Sequence, residues 1–190
     1  MLFWRRRQNL KNGIYSARRK ISWKSVKGLK PTIALFIATA FGAGLFPIAP
    51  GTMGSLAGIP LAYWTREWDW PARILFWGGL TLLGTWAAKV FDQTMKTNDN
   101  QNIVIDEVIG MGITTWTAGS DLKTWIAAFV LFRIFDILKP PPVRNIDQWS
   151  KKQSSPWWKG FGVIADDMIA GFEGLGVILV LQWLHVLPTG

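Results

Sequence analysis

Apolar runs broken by short polar stretches fill the chain from about residue 33 onward, and their lengths predict helices. Residues 33–46 are apolar and rich in small side chains. They lead into Pro47-Ile-Ala-Pro-Gly-Thr-Met-Gly-Ser55, where proline and glycine predict a loop. An apolar helix is expected over 53–64, with Gly54 and Gly58 spaced for close helix contact. The clearest membrane span is 72–91, charged only near its ends at Arg73 and Lys89. At ~1.5 Å per residue, ~20 residues cover a ~30 Å hydrocarbon layer. A polar loop over 92–102 follows, then 103–116, apolar except for Asp106 and Glu107. After a short turn at 117–124, a helix over 125–138 carries Arg133 and Asp136. It stops at Lys139-Pro-Pro-Pro, since consecutive prolines remove donors and clash with the preceding turn. A hydrophilic loop with Arg144, Lys151, Lys152 and Lys159 leads to a span-length helix over 161–183, which contains Asp166, Asp167 and Glu173. The pattern predicts an all-α integral membrane bundle with about four to five membrane-embedded helices.

Composition supports the bilayer over a soluble fold with a large aromatic core. The chain is 49% hydrophobic and holds 13 Trp and 11 Phe. Tryptophan concentrates where a ring lies in lipid and its N–H reaches the headgroups. The net charge of +9 is uneven: no acid precedes Glu67, whereas ten Lys and Arg crowd the first thirty residues. Because this basic segment runs directly into apolar sequence, it reads as a cytoplasmic, lipid-facing arm over 1–31 and not as a nucleic-acid binder. It is too long for a signal-peptide basic region, and no A-x-A-like site closely follows the apolar run. Residues 32–190 are expected to form a single membrane-embedded domain. With the arm and the Lys-rich loop inside, the acids at 106–107, 136 and 166–167 all fall at the inner membrane face. Region 33–64 must then start inside and finish outside despite its central break, which predicts a re-entrant segment returning Pro47–Thr52 to the site.

Cysteine is absent and His185 is the single histidine, so thiolate chemistry and two-histidine mechanisms are excluded. Carboxylates remain. Five of the twelve acids, Asp106, Glu107, Asp136, Asp166 and Asp167, sit in apolar surroundings, where an ionised group is costly unless paired or bound to a cation. Two of these sites are adjacent pairs, whose mutual repulsion a divalent ion removes. Oxygen-only ligands favour a hard ion, so Mg²⁺ is expected, with Mn²⁺ as a substitute. The alternative is structural salt bridging to Arg133, Lys139 and Arg144. Asp136 lies three residues after Arg133, a spacing open to either role. Gly51-Thr52 and Gly54-Ser55 precede a helix and suit an anion through backbone N–H groups and a hydroxyl. Lys139 and Arg144 bracket the stiff Pro140–Pro142 segment and would offset phosphoryl charge. Ala170 and Gly171, one turn beyond Asp166 and Asp167, leave room for a headgroup or serve helix packing.

Four segments together resemble the phosphatidylglycerophosphatase A family: residues 41–55 (FGAGLFPIAPGTMGS), 103–111 (IVIDEVIGM), 132–144 (FRIFDILKPPPVR) and 160–171 (GFGVIADDMIAG). They occur in the family's order across most of 35–175. The resemblance implies an Mg²⁺-dependent, all-helical enzyme of the bacterial inner membrane. It would hydrolyse the lipid phosphatidylglycerophosphate to phosphatidylglycerol and phosphate, with its site facing the cytoplasm. By position, Asp106, Glu107, Asp136, Asp166 and Asp167 match the family's acidic, metal-associated residues, and Thr52, Arg133, Lys139 and Arg144 its polar ones. Asp99 is a lesser candidate and Glu173 falls outside the pattern. Ala43 stands where the family commonly has Ser, which argues against an essential hydroxyl there. Attack on phosphorus by water or by an Asp carboxylate both remain open. Two rivals are weaker. A CDP-alcohol phosphotransferase needs a D-G-x-x-A-R signature absent here, and a small transporter would line a path across the bilayer with its charges.

Overall fold

At the centre lies an apolar helix of only 10 residues. The structure is a computed structural model that describes residue 24 and residues 26–189, so most of the basic arm lies outside the described residues. Among the described residues all regular structure is helical: α1 (Leu29–Ala38), a 3₁₀ turn (Ala43–Leu45), α2 (Pro50–Thr65), α3 (Trp70–Met95), α4 (Ile105–Thr114), α5 (Leu122–Leu138), α6 (Val143–Lys151) and α7 (Pro156–Trp183). Helix α4 touches α2, α3, α5 and α7, while α1 rests on α3 and α6 on α7. Of its ten residues only Glu107 is not fully buried.

Local chemistry sets the boundaries. Asp69 Oδ1 accepts from Ala72 N at 3.1 Å and Asp121 Oδ2 from Thr124 N at 2.9 Å, which caps α3 and α5. Lys96 and Lys139 close the same two helices in the left-handed conformation. Four expectations need correction. Helix α2 starts at Pro50 and not near residue 53, because proline fits the first helical position. Helix α4 is 10 residues long, about 15 Å, too short to cross a bilayer. Residues 143–151, read as loop, form α6: their polarity masked an amphipathic helix that buries Val143 and half-buries Ile146. Helix α7 begins at Pro156, five residues before the expected start.

Packing uses backbone proximity more than side-chain bulk. A Cβ on Gly171 of α7 would lie 2.6 Å from the Gly110 carbonyl of α4, and one on Gly58 of α2 would lie 3.0 Å from that of Val108. Glycine at these crossings lets the helix axes approach, the mode by which helices associate in lipid. Buried Thr39, Thr65, Thr114 and Thr115 donate to carbonyls four residues back at 2.8–3.1 Å, so none leaves its hydroxyl unsatisfied.

The outer surface is strongly apolar. Leu75, Leu82, Leu122, Ile137 and Trp183 are each at least 67% exposed, on three different helices. So broad an apolar surface is out of place in water. Among the described residues, α3 is the one helix both long and apolar enough to cross a membrane by length and composition. Helix α7 has the length, with 28 residues, but carries Lys159, Asp166, Asp167 and Glu173 along it.

Candidate active site

Asp106 and Glu107 occupy the first turn of α4, where the positive end of the helix dipole favours carboxylates. The turn joining α1 to α2 is tied to this point: Val104 N donates to Ala38 O at 2.8 Å and Asn102 Nδ2 to Gly44 O at 2.7 Å. That tie returns the start of α2 to the acids. A side chain at Gly51 would overlap Glu107 Oε1 and come 3.3 Å from Arg133 Nη1. Only glycine permits this approach.

The α4–α7 crossing at Gly110 and Gly171 brings Asp167 beside the first-turn acids. Asp106, Glu107 and Asp167 each direct a carboxylate oxygen to a common point, all within 4.8 Å of one another. Asp106 and Asp167 are buried and Glu107 half-buried, and Glu107 Oε2 has no hydrogen-bond partner. Three mutually close carboxylates, none in an ion pair among the described residues, form a donor set that fits a hard, oxygen-seeking cation.

The other two acids have cations of their own. Asp136 Oδ2 lies 2.7 Å from Arg133 Nη1, and the same nitrogen donates to Ser55 Oγ at 3.4 Å. Asp166 pairs with Lys139 Nζ. Of the five expected acids, then, two are salt-bridged and three converge with no ion pair among the described residues. Burial alone would lower the Lys139 pKa, but attraction to Asp166 and the hydrogen bond between them override it, so Lys139 is raised and stays charged. Lys139 Nζ also lies 3.8 Å from Asp147 Oδ1, and the other oxygen of Asp147, Oδ2, pairs with Lys151 Nζ at 2.7 Å.

The remaining candidates are more peripheral. Thr52 is half-buried in the first turn of α2, next to Gly51. Arg144 is exposed on α6 and makes no ion pair among the described residues. Asp99 is exposed in the turn after α3, its N–H donating to Asp92 Oδ2 at 2.7 Å. Glu173 is half-buried on α7, outside the three-acid group. Sequence reading missed Asp147, the contact of Ser55 with Arg133 and the steric role of Gly51. The spacing of Asp147 four residues before Lys151 was a usable signal for the first, because it fits a helical ion pair.

Residues 36–182, which carry every member of this constellation, match the phosphatidylglycerophosphatase A family. The chain belongs to that family. It is 37% identical over 155 residues to phosphatidylglycerophosphatase A of Escherichia coli K12, covering 81% of this chain and 85% of the relative. The Haemophilus influenzae phosphatidylglycerophosphatase A is 36% identical over 149 residues, 77% of this chain and 87% of its own. A Bacteroides thetaiotaomicron protein, whose name assigns it provisionally a phosphatidylinositol-3-phosphatase activity, is 33% identical over 164 residues, 80% and 95% of the two chains. No solved structure matches the chain. In this phosphatidylglycerophosphatase A family chain, the four segments noted in the sequence become one place. The first supplies the α2 N-terminus and the second the first turn of α4. The third brings Arg133, Asp136 and Lys139, and the fourth Asp166 and Asp167.

Proposed function

We propose that this chain is a membrane-embedded phosphatase that hydrolyses the terminal phosphate monoester of phosphatidylglycerophosphate, yielding phosphatidylglycerol and phosphate. The observation that carries the reading is the convergence of Asp106, Glu107 and Asp167 beneath the glycine-opened start of α2, in a chain of this family. Asp106, Glu107 and Asp167 would hold Mg²⁺, with Mn²⁺ as a substitute, and Asp136 and Asp166 flank them. When bound, the ion supplies Lewis-acid polarisation of a phosphoryl oxygen.

The chain's own groups provide the rest. The first-turn N–H groups of α2 and the Thr52 hydroxyl suit the equatorial phosphoryl oxygens, with the helix dipole behind them. Arg133 and Lys139, each fixed by a carboxylate, offset charge developing on phosphorus. Attack breaks the bond between phosphorus and the glycerol oxygen, and the released alkoxide takes up a proton. Either water attacks phosphorus directly, or an aspartate does so and water then cleaves the resulting aspartyl-phosphate to free the phosphate and the carboxylate. Arg144, exposed nearby in sequence to Lys139, would meet the headgroup on approach.

The apolar outer surface supports a bundle of about four to five embedded helices with α1 and the turn after it as the re-entrant part. Lysines 139, 151, 152 and 159 cluster around the connections at the site end, which supports a cytoplasmic site and a cytoplasmic basic arm over 1–31, ahead of the catalytic domain over 32–190. The test is phosphate release from phosphatidylglycerophosphate by wild type, Asp106→Asn and Asp167→Asn, each with Mg²⁺ and with EDTA. Loss in both variants and in EDTA is expected. Activity that survives all three treatments overturns the metal–carboxylate reading, and preferential hydrolysis of phosphatidylinositol 3-phosphate overturns the substrate.

A further inference from the structure

Away from the acids, the last turns of α3 and the first turn of α7 enclose a cleft of about 250 Å³. Gly160 permits it: a Cβ there would lie 2.7 Å from the Thr85 carbonyl and 3.0 Å from Lys89 Cβ, so α3 and α7 touch just below the opening. On α3, Lys89 and Asp92 are three residues apart and therefore share a face, and Lys96, which closes the helix, also lines the cleft. Lys159 enters from α7, and Thr97 and Ser154 add hydroxyls.

Two of the lysines of this cleft are held in place by neutral partners. The Lys89 ammonium sits 3.9 Å from the centroid of the Trp157 ring, and Lys159 Nζ donates to Asn98 Oδ1 at 3.2 Å. Neither is in an ion pair with a carboxylate among the described residues. The one acid present, Asp92, has both oxygens engaged, Oδ1 by Thr97 Oγ1 at 2.6 Å and Oδ2 by Asp99 N at 2.7 Å. Lys89 and Lys159 against Asp92 leave the cleft with a cationic excess before Lys96 is counted. The cleft shares no lining residue with the acids of the candidate active site or with Arg133 and Lys139.

We propose that this cleft is a second phosphate site, separate from catalysis, that holds the phosphodiester headgroup of an anionic membrane lipid. Its volume is below the ~300–1,000 Å³ of pockets for drug-sized ligands and suits a headgroup whose tails remain outside. Trp157, about half exposed and in contact with Lys89, stands at its edge, as expected at headgroup depth. Ammonium groups placed by a ring face and an amide stay available as charge-assisted donors to phosphate. The proposal rests on the membrane placement given above and not on the catalytic reading.

The full chain, extracted from membranes containing phosphatidylcholine and phosphatidylglycerol, is analysed by native mass spectrometry for retained lipid. Three proteins are compared: wild type, Lys89→Gln/Lys159→Gln, and the charge-matched control Lys30→Gln/Lys152→Gln. Wild type and control should retain phosphatidylglycerol over phosphatidylcholine by about tenfold, as a few charge-assisted bonds would give. The cleft variant should lose that preference while keeping its phosphate-release rate at saturating substrate. An unchanged preference in the cleft variant, or an equal loss in the control, overturns the site. Displacement of the lipid by millimolar inorganic phosphate would show a free-anion site and overturn the lipid assignment. Because the readout is binding, an inactive preparation that still shows the tenfold preference refutes the catalytic reading alone.

Discussion

Asp167→Asn should make the metal-free protein more stable while it destroys activity. Asp106, Glu107 and Asp167 bring oxygens within 4.8 Å of one another. At an effective dielectric of about 20, each pair of charges at that distance repels by roughly 3.5 kcal/mol. Asparagine at 167 keeps the side-chain size and removes two of the three repulsions, roughly 7 kcal/mol of gross relief. Relaxation and the facing Arg133 and Lys139 already absorb most of this in the wild type. A net gain of about 1–2 kcal/mol is therefore expected, about 2–8 °C in Tm for a chain of this size. Excess Mg²⁺ should reverse the order. At a hundred times its Kd, an ion bound only by the folded state contributes about 2.7 kcal/mol, and only the wild type has the complete donor set. The assay is thermal unfolding in detergent with EDTA and with Mg²⁺, paired with phosphate release, which should fall about 10²-fold or more in the variant. A wild type whose Tm ignores Mg²⁺, together with a variant that melts lower in EDTA, would refute the claim that these carboxylates await a cation.

Three further outcomes are expected. Gly51→Ala should push Glu107 from its position and cost about 10²-fold in activity, with Tm nearly unchanged, because an ångström-scale displacement suffices. Gly171→Val, which overpacks the α4–α7 crossing, should cost about 1–3 kcal/mol by thermal unfolding, whereas Gly176→Ala, facing open space, should stay within about 0.5 kcal/mol. The natural chain has no cysteine, so single Lys152→Cys and Ser120→Cys variants can be labelled cleanly in oriented vesicles. Lys152→Cys should react from the cytoplasmic side and Ser120→Cys from the other; labelling of both from one side would reject the proposed topology.

Much of this protein was legible in the chain itself. Apolar run lengths and the prolines after Lys139 determine helical structure and most of its breaks, because both act through local sterics and burial. Charge distribution and the want of cysteine restrict the chemistry to carboxylates. The five acids are identifiable as costly in apolar sequence without any knowledge of their neighbours. Other features depended on contacts that no local pattern encodes. Only the tertiary structure separates Asp136 and Asp166, neutralised by Arg133 and Lys139, from Asp106, Glu107 and Asp167, which face one another. That division is set by where α4 and α7 cross, and the crossing is set by glycines whose value lies in a partner helix far away in sequence. The same holds for α6, hidden as a helix because its polar face outnumbers the residues it buries, and for Gly51, whose missing side chain matters only once Glu107 lies against it.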